Sequence, residues 1–215
     1  MNSAWRLAKL LTKIKASKSP VAHEAFEEVF EVNSCVGIMN KLRICDTQIS
    51  ALKEKSHVSL INYLNTIFNC KTLHRNFQAE KNAIDSYIMA LETAGAYMEH
   101  ENIDTKNITD LSELLQQMRD SIEKADTPEH YKDVLNNYVD EMLEGIVDID
   151  IGGIEAFTSH VEIANGKVVL YNQAFTESGL MDITTKIYNV STKILSDAQT
   201  WSGVIGFASG KLLGN

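Results

Sequence analysis

Apolar residues recur at three- and four-residue steps along most of the chain, which is the spacing of one face of an α-helix. The first such run consists of Leu7, Leu10, Leu11 and Ile14, with lysines on the opposite face. We expect this helix to end near Pro20, because the residue before a proline disfavours helical backbone. Further runs predict three long helices with short connections between residues 20 and 100, a pattern typical of an antiparallel bundle.

Two more helices are predicted after a polar connection at 101–109. Asp110 and Glu113 have the form of a capping pair at the start of the first helix. The run Asp126-Thr127-Pro128-Glu129 supplies a capping hydroxyl, a proline and an acid, which together indicate the start of the second. We expect these two helices to form a hairpin.

The pattern changes after Gly145. Val147, Ile149 and Ile151 alternate with aspartates, which is the periodicity of a strand, and Asn165-Gly166 separates two later alternating runs. Asn-Gly is a strong signal for the tight turn of a β-hairpin, because both residues tolerate a positive φ. The sequence therefore predicts a small antiparallel sheet across 146–172.

Together these patterns predict a mainly α protein, a multi-helix antiparallel bundle with a small β-hairpin near 146–172. A basic amphipathic helix is expected at 1–20, the helical bundle at 21–145, and the β-hairpin with the C-terminal helices at 146–215. We expect the last two segments to form one domain, since 215 residues suit a single compact domain. No run reaches the ~20 apolar residues of a membrane-spanning helix.

The charge is distributed unevenly. The formal net charge is −9, yet residues 1–20 carry five cations and no acid, and the segment 110–150 has twelve acids against three cations. A body this acidic repels phosphate backbones, so we expect no nucleic-acid partner. The three cysteines show no CxxC spacing, and the first twenty residues lack the uninterrupted apolar core of a secretory signal. These features favour a cytoplasmic location, with peripheral attachment to a membrane left open.

Asp148 and Asp150 are the candidate metal ligands. On a strand, residues two apart point to the same side, so the two carboxylates could share a divalent cation. As a calcium loop the segment fails, because Ser159 stands at the twelfth position, where a bidentate glutamate is required. The simpler interpretation is that both aspartates face water. The chain has no Gly-x-Ser-x-Gly elbow and no His-x-x-x-His pair, so we assign no catalytic residue and no other cofactor.

The two chain ends carry the residues expected to bind a partner. They are Trp5, Leu7, Lys9, Leu10, Leu11, Lys13 and Ile14 in the first helix and Trp201, Gly206, Phe207 and Gly210 in the glycine-spaced tail. A protein partner or self-association is the first interpretation, and binding of residues 1–18 to an anionic membrane surface is the second. A third is intramolecular docking of the basic arm on the acidic segment 110–150.

The primary hypothesis is a non-enzymatic helical interaction or assembly protein that binds a protein partner or its own copies through amphipathic helix faces. A peripheral membrane protein is the alternative, and a metal-dependent enzyme centred on Asp148 and Asp150 is the second alternative. The abundance of Asn, Lys and Ile is typical of proteins from AT-rich bacterial or phage genomes. No motif along the chain matches the pattern of a particular family.

Overall fold

The computed structural model describes residues 1–53, 55–69, 71 and 73–199. Nine α-helices cover this part of the chain, which confirms the prediction of a mainly α protein. They are α1 (Ser3–Ala16), α2 (Ala22–Phe30), α3 (Cys35–Leu52), α4 (Val58–Ile67), α5 (Gln78–Ala96), α6 (Thr105–Lys124), α7 (Glu129–Leu170), α8 (Asn172–Glu177) and α9 (Met181–Gln199). None of the helices in the described ranges combines the length and apolar composition that a bilayer span needs.

The β-hairpin predicted across 146–172 is wrong. Residues 146–170 lie in α7, and the described residues contain no strand, only an isolated bridge between Val21 and Asn76. The alternating apolar residues do not form one buried face: Ile151 is buried, Ile149 is half-buried and Val147 is exposed. Asn165-Gly166 continues the helix, since a local turn preference is a weak bias that tertiary packing overrides.

The chain does turn in this region, but at Gly153. This residue adopts φ 68° and ψ −153° inside α7, a conformation that only glycine adopts readily. We call residues 129–149 the first limb of α7 and residues 154–170 its second limb. The limbs approach closely, because a Cβ added at Gly145 would lie 2.7 Å from the Cβ of His160. A helical hairpin therefore occupies much of the segment for which strands were predicted.

Two compact units make up the chain. Unit 1 contains Met1–His100 and Asp150–Gly153, and unit 2 contains Glu101–Ile149 and Ile154–Asn215. The units divide the chain at different positions from the predicted boundaries at 20 and 145. The first helix belongs to unit 1 because its apolar face packs against α3 and α5.

Unit 1 is built around α1, which contacts α2, α3 and α5. An aromatic group fills part of its core, where the ring centroid of Phe26 lies 5.4 Å from those of Phe30 and Phe77 and 6.2 Å from that of Phe68. All four rings are buried, so their packing removes a large apolar area from water. This core explains why residues 1–100 form a compact unit.

Unit 2 pairs α6 with α9 and α8 with α9. Its core contains the apolar face of α6 together with residues from α7, α8 and α9, and Tyr138 packs edge-on against Phe175 at 5.4 Å between centroids. Helix α7 begins at Glu129, one residue after the predicted first position; Pro128 is its N-cap, and the predicted capping hydrogen bond is absent. Helix α6 begins earlier than predicted, since the Asp104 side chain, not that of Asp110, accepts from the first-turn backbone N–H of Lys106 at 2.9 Å.

Candidate functional site

The apolar residues of α1 are covered by unit 1 itself. Leu7, Leu11 and Ile14 are fully buried and Leu10 is 4% exposed. They face α3 and α5, whose buried residues belong to the same hydrophobic cluster. The stripe predicted to meet a partner or a membrane is therefore part of the core of unit 1.

Trp5 lies at the edge of the same contact between α1 and α5. Its indole Nε1 donates to the carbonyl of Glu92 at 3.2 Å, and its ring stacks on His100 with centroids 4.6 Å apart. The Trp5 ring can pack here because residue 95 is glycine: a Cβ at Gly95 would lie 2.2 Å from the ring. Trp5 is 38% exposed, so most of its surface is already used within unit 1.

The lysines of α1 lie on its outer side. Lys9 pairs with Asp150 at 2.7 Å and Lys15 pairs with Asp85 at 2.6 Å, both at exposed positions. Lys13 is exposed. Exposed pairs of this kind contribute about 0–1 kcal/mol each and weaken as salt is added. Two of the cations are thus balanced by carboxylates of unit 1.

Asp148 and Asp150 do not share a face, as the strand interpretation required. Both lie on α7, and on a helix residues two apart lie about 160° from each other around the axis. Asp150 is exposed and binds Lys9, whereas Asp148 is 2% exposed and binds the ring of His160. Among the described residues, no three His, Cys, Asp or Glu side chains are arranged so that they could hold a metal ion. Trp201, Gly206, Phe207 and Gly210 lie outside the described residues.

A partly buried polar cluster joins the two limbs of α7 in unit 2. His160 Nε2 lies 3.1 Å from Asp148 Oδ2, and His160 Nδ1 lies 2.7 Å from Glu141 Oε1. Lys167 donates from Nζ to Glu141 Oε2 at 2.9 Å and to the carbonyl of Asn137 at 3.0 Å. We call Glu141, Asp148, His160 and Lys167 the limb cluster.

The limb cluster changes the protonation behaviour of its members. The hydrogen bond with Asp148 is the largest influence on His160 and raises the pKa of its ring above the ordinary value; burial opposes this shift and Glu141 adds to it. Burial alone would raise the pKa of Glu141, but the hydrogen bonds with Lys167 and His160 outweigh it and hold that pKa below its ordinary value. Both shifts favour the charged forms.

Neither the hydrophobic periodicity nor a short motif predicts the limb cluster, although the sequence carries a signal for it. Asp148 and His160 lie equally far on either side of residue 154, and so do Glu141 and Lys167. If Gly152-Gly153 is taken as the turn of a helical hairpin, these positions face each other as complementary charges. The strand interpretation concealed this symmetry.

A surface groove lies in unit 1 between the start of α4 and the outer face of α5. Its volume is about 640 Å³. It is lined by Lys55, Ser56, His57, Ser59, Leu60, Ser86, Tyr87, Met89, Ala90, Thr93, Ala94 and Tyr97. Half of these residues are Ser, Ala or Thr, and two large apolar side chains are strongly exposed: Tyr97 at 89% and Met89 at 69%. Val58 beside the groove is 70% exposed. No hydrophobic period in the sequence marked this face, because its residues are mostly small or polar.

Comparison of the chain with protein-family models, with curated proteins and with solved structures finds no match.

Proposed function

We propose that the chain is a non-enzymatic interaction protein whose unit 1 binds an amphipathic helix of a protein partner in the groove between α4 and α5. The observation that carries the proposal is the pairing of strongly exposed Met89 and Tyr97 with a lining of small side chains. A groove that binds an amphipathic helix presents apolar side chains to the apolar face of that helix.

The dimensions and chemistry of the groove favour a helix as the occupant. From Ser86 to Tyr97 the outer face of α5 rises about 16 Å, at ~1.5 Å per residue, which matches about three turns of a second helix. Ser86, Ala90 and Thr93 leave room for the apolar side chains of such a helix. Met89 can adapt its shape to the bound surface, because methionine is unbranched and flexible.

A positive charge at the groove favours an acidic partner. Lys55 lines the groove and precedes α4 in the chain, and both Lys53 and Lys55 are exposed. A helix whose apolar face ends in acidic residues would place those acids beside Lys55. Rim charges of this kind mainly improve selectivity and association rate.

The test uses synthetic helical peptides as probes. One peptide carries leucines at i, i+3, i+4 and i+7 followed by glutamates; the second replaces these glutamates with lysines, and the third is a scrambled version of the first. We expect the acidic peptide to bind most tightly by fluorescence anisotropy. We also expect its NMR shift changes to concentrate at 55–60 and 86–97.

Two variants with the same charge change sharpen the test. Thr93→Glu places a carboxylate under the apolar face of the peptide and is expected to weaken binding by about tenfold or more, since an unpaired charge is costly to desolvate. Asn82→Glu changes an exposed residue of α5 outside the groove and should leave binding unchanged. Lys55→Gln should remove the preference for the acidic peptide.

Several results would overturn the proposal. They are equal binding of the acidic and scrambled peptides, equal loss of binding in Thr93→Glu and Asn82→Glu, or shift changes outside the groove. A dimer detected by light scattering that Thr93→Glu dissociates would replace the partner helix with a second copy of the chain.

The two alternative functions lack a supporting observation of this kind. The leucines proposed for membrane insertion form part of the core of unit 1, and the two proposed metal ligands lie on different faces of α7. A cytoplasmic location remains part of the proposal, and it is supported by Cys35, an exposed free thiol of the kind that persists in reducing compartments.

A further inference from the structure

The His160 ring in unit 2 has a carboxylate within hydrogen-bond distance of each of its nitrogens. Both carboxylates come from the first limb of α7, whereas the ring belongs to the second. The side chain of His160 is 15% exposed, and those of Asp148 and Glu141 are 2% and 17% exposed. The ring is therefore a connection between the limbs in a region with little water.

The number of connections that the ring can make depends on its protons. A protonated imidazolium donates from both nitrogens, but a neutral imidazole has one N–H and one lone pair. In the neutral ring, the nitrogen with the lone pair would face a carboxylate oxygen at 2.7 or 3.1 Å. That contact is repulsive, so loss of one proton converts a bond between the limbs into an unfavourable contact.

We propose that the hairpin of α7 in unit 2 is a pH-responsive clasp, closed while His160 donates to both Glu141 and Asp148 and loosened when the ring loses a proton. The clasp goes beyond the proposed function, because it lies in unit 2 and uses none of the residues that line the groove of unit 1.

The charges that act on the ring come from the limb cluster itself. Glu141 and Asp148 act on the ring directly, and Lys167 reaches it through Glu141. Arg119 of α6 pairs with Asp140. Tyr138, one turn before Glu141, is buried, and burial raises the pKa of its hydroxyl, so it stays neutral.

The pH range follows from the direction of the shifts. Because the pKa of His160 is raised in the folded protein, its stabilisation is complete below the ordinary value of about 6.5 and is lost as the pH rises through the folded value. Because the pKa of Glu141 is lowered, its stabilisation is complete above about 4.5 and is lost as the pH falls through its folded value. The clasp is strongest between these limits.

The direct test is an NMR titration of the His160 ring in the intact protein. We expect its Cε1–H signal to titrate above about pH 6.5, with the amide signals of both limbs shifting at the same midpoint. A midpoint at or below the ordinary histidine value would overturn the proposal. Because this measurement uses the unaltered chain, it decides the matter even if the variants fold poorly.

Variants then link the titration to stability. Within the range between the ordinary and the folded pKa, the folding equilibrium constant of the wild type should fall by about tenfold for each pH unit. His160→Gln should lack this dependence, since a glutamine side chain does not titrate. The matched control is His130→Gln at the exposed start of α7, which should retain it. A His160→Gln protein with the wild-type pH dependence would contradict the clasp.

Discussion

Each unit of the molecule contains a largely buried basic side chain, Arg6 in unit 1 and His160 in unit 2. The two side chains have different hydrogen-bond partners. In unit 1, Arg6 is 2% exposed and donates to the carbonyl of Met1 at 2.7 Å and to Gln48 Oε1 at 3.3 Å. In unit 2, His160 lies between two carboxylates. A guanidinium keeps its proton at any physiological pH, whereas an imidazole does not.

The difference shows two uses of a buried charge. Arg6 lies against the turn at Gly153, and Gln48 donates to the carbonyl of Gly152 at 3.1 Å, so these side chains organise a backbone turn. His160 connects two helical segments by bonds whose number depends on pH. We therefore expect the stabilisation of unit 1 by Arg6 to be independent of pH and the stabilisation of unit 2 by His160 to depend on pH.

The largest expected effect is that of Gly153→Ala. A Cβ at this position would lie 2.4 Å from the guanidinium carbon of Arg6, and the backbone has a positive φ, so we expect a loss of about 3 kcal/mol or more in the free energy of unfolding. Gly179→Ala is the matched control, because Gly179 has φ 71° but no atom within 4 Å of the added Cβ. Its loss should be about 1–2 kcal/mol. Urea denaturation measures both, and an equal loss in the two variants would show that Arg6 is not packed against the turn.

The contrast between the two bases is tested by Arg6→Met. The substitution removes the donor to Gln48, and we expect it to lower the free energy of unfolding by about 2–4 kcal/mol. This loss should be the same near pH 6 and near pH 9. The cost of His160→Gln should instead shrink between these pH values, as the wild type loses its own stabilisation. If the losses of unfolding free energy in Arg6→Met and His160→Gln changed with pH in the same way, the proposed difference between the units would be wrong.

A smaller effect is expected at the contact between α1 and α5. Gly95→Ala would place a Cβ 2.2 Å from the ring of Trp5, and we expect a loss of about 1–3 kcal/mol from displacement of that ring. The measurement uses a Trp201→Phe background, so that Trp5 is the one tryptophan left of the two in the chain. The fluorescence emission of Trp5 should move to longer wavelength in Gly95→Ala, because the displaced ring is more exposed to water. An unchanged spectrum would mean that Trp5 does not pack on Gly95.

The smallest effect, and the most informative about the fold of 146–172, is that of Gly166→Ala. Gly166 lies inside α7 with no neighbour near its Cβ position, so alanine should raise the unfolding free energy by about 0.5–1 kcal/mol. In a β-turn formed by Asn165-Gly166 the same change would lower it, because the turn requires a positive φ. Thermal unfolding distinguishes the two signs.

Helical periodicity was the reliable part of the sequence. The stripe Leu7, Leu11 and Ile14 predicted a helix whose apolar face is buried, and the proline at 128 marked the start of α7. Periodicity could not say what covers that face, because α3 and α5, which cover it, lie far from α1 in the sequence. Periodicity therefore predicts a binding element as readily as it predicts the buried helix at the centre of unit 1.

The limb cluster was missed for a related reason. Pairs of residues separated by 12 and 26 positions become neighbours only if the chain turns between them, and the turn was predicted at 165–166 instead of 153. An Asn-Gly pair is a local preference, whereas the turn at Gly153 is fixed by contacts with Arg6 and Gln48 from distant helices. Such contacts have no periodic signature.

The difference between the two units is tested most directly by hydrogen exchange at single-residue resolution near pH 6 and near pH 9, corrected for the intrinsic pH dependence of exchange. We predict that protection at 141–149 and 154–167 falls at the higher pH by about tenfold for each unit by which the pKa of His160 is raised. Protection in α1 and α3 should stay constant. An equal fall in both units, or no fall along α7, would contradict a support in unit 2 that depends on the His160 proton.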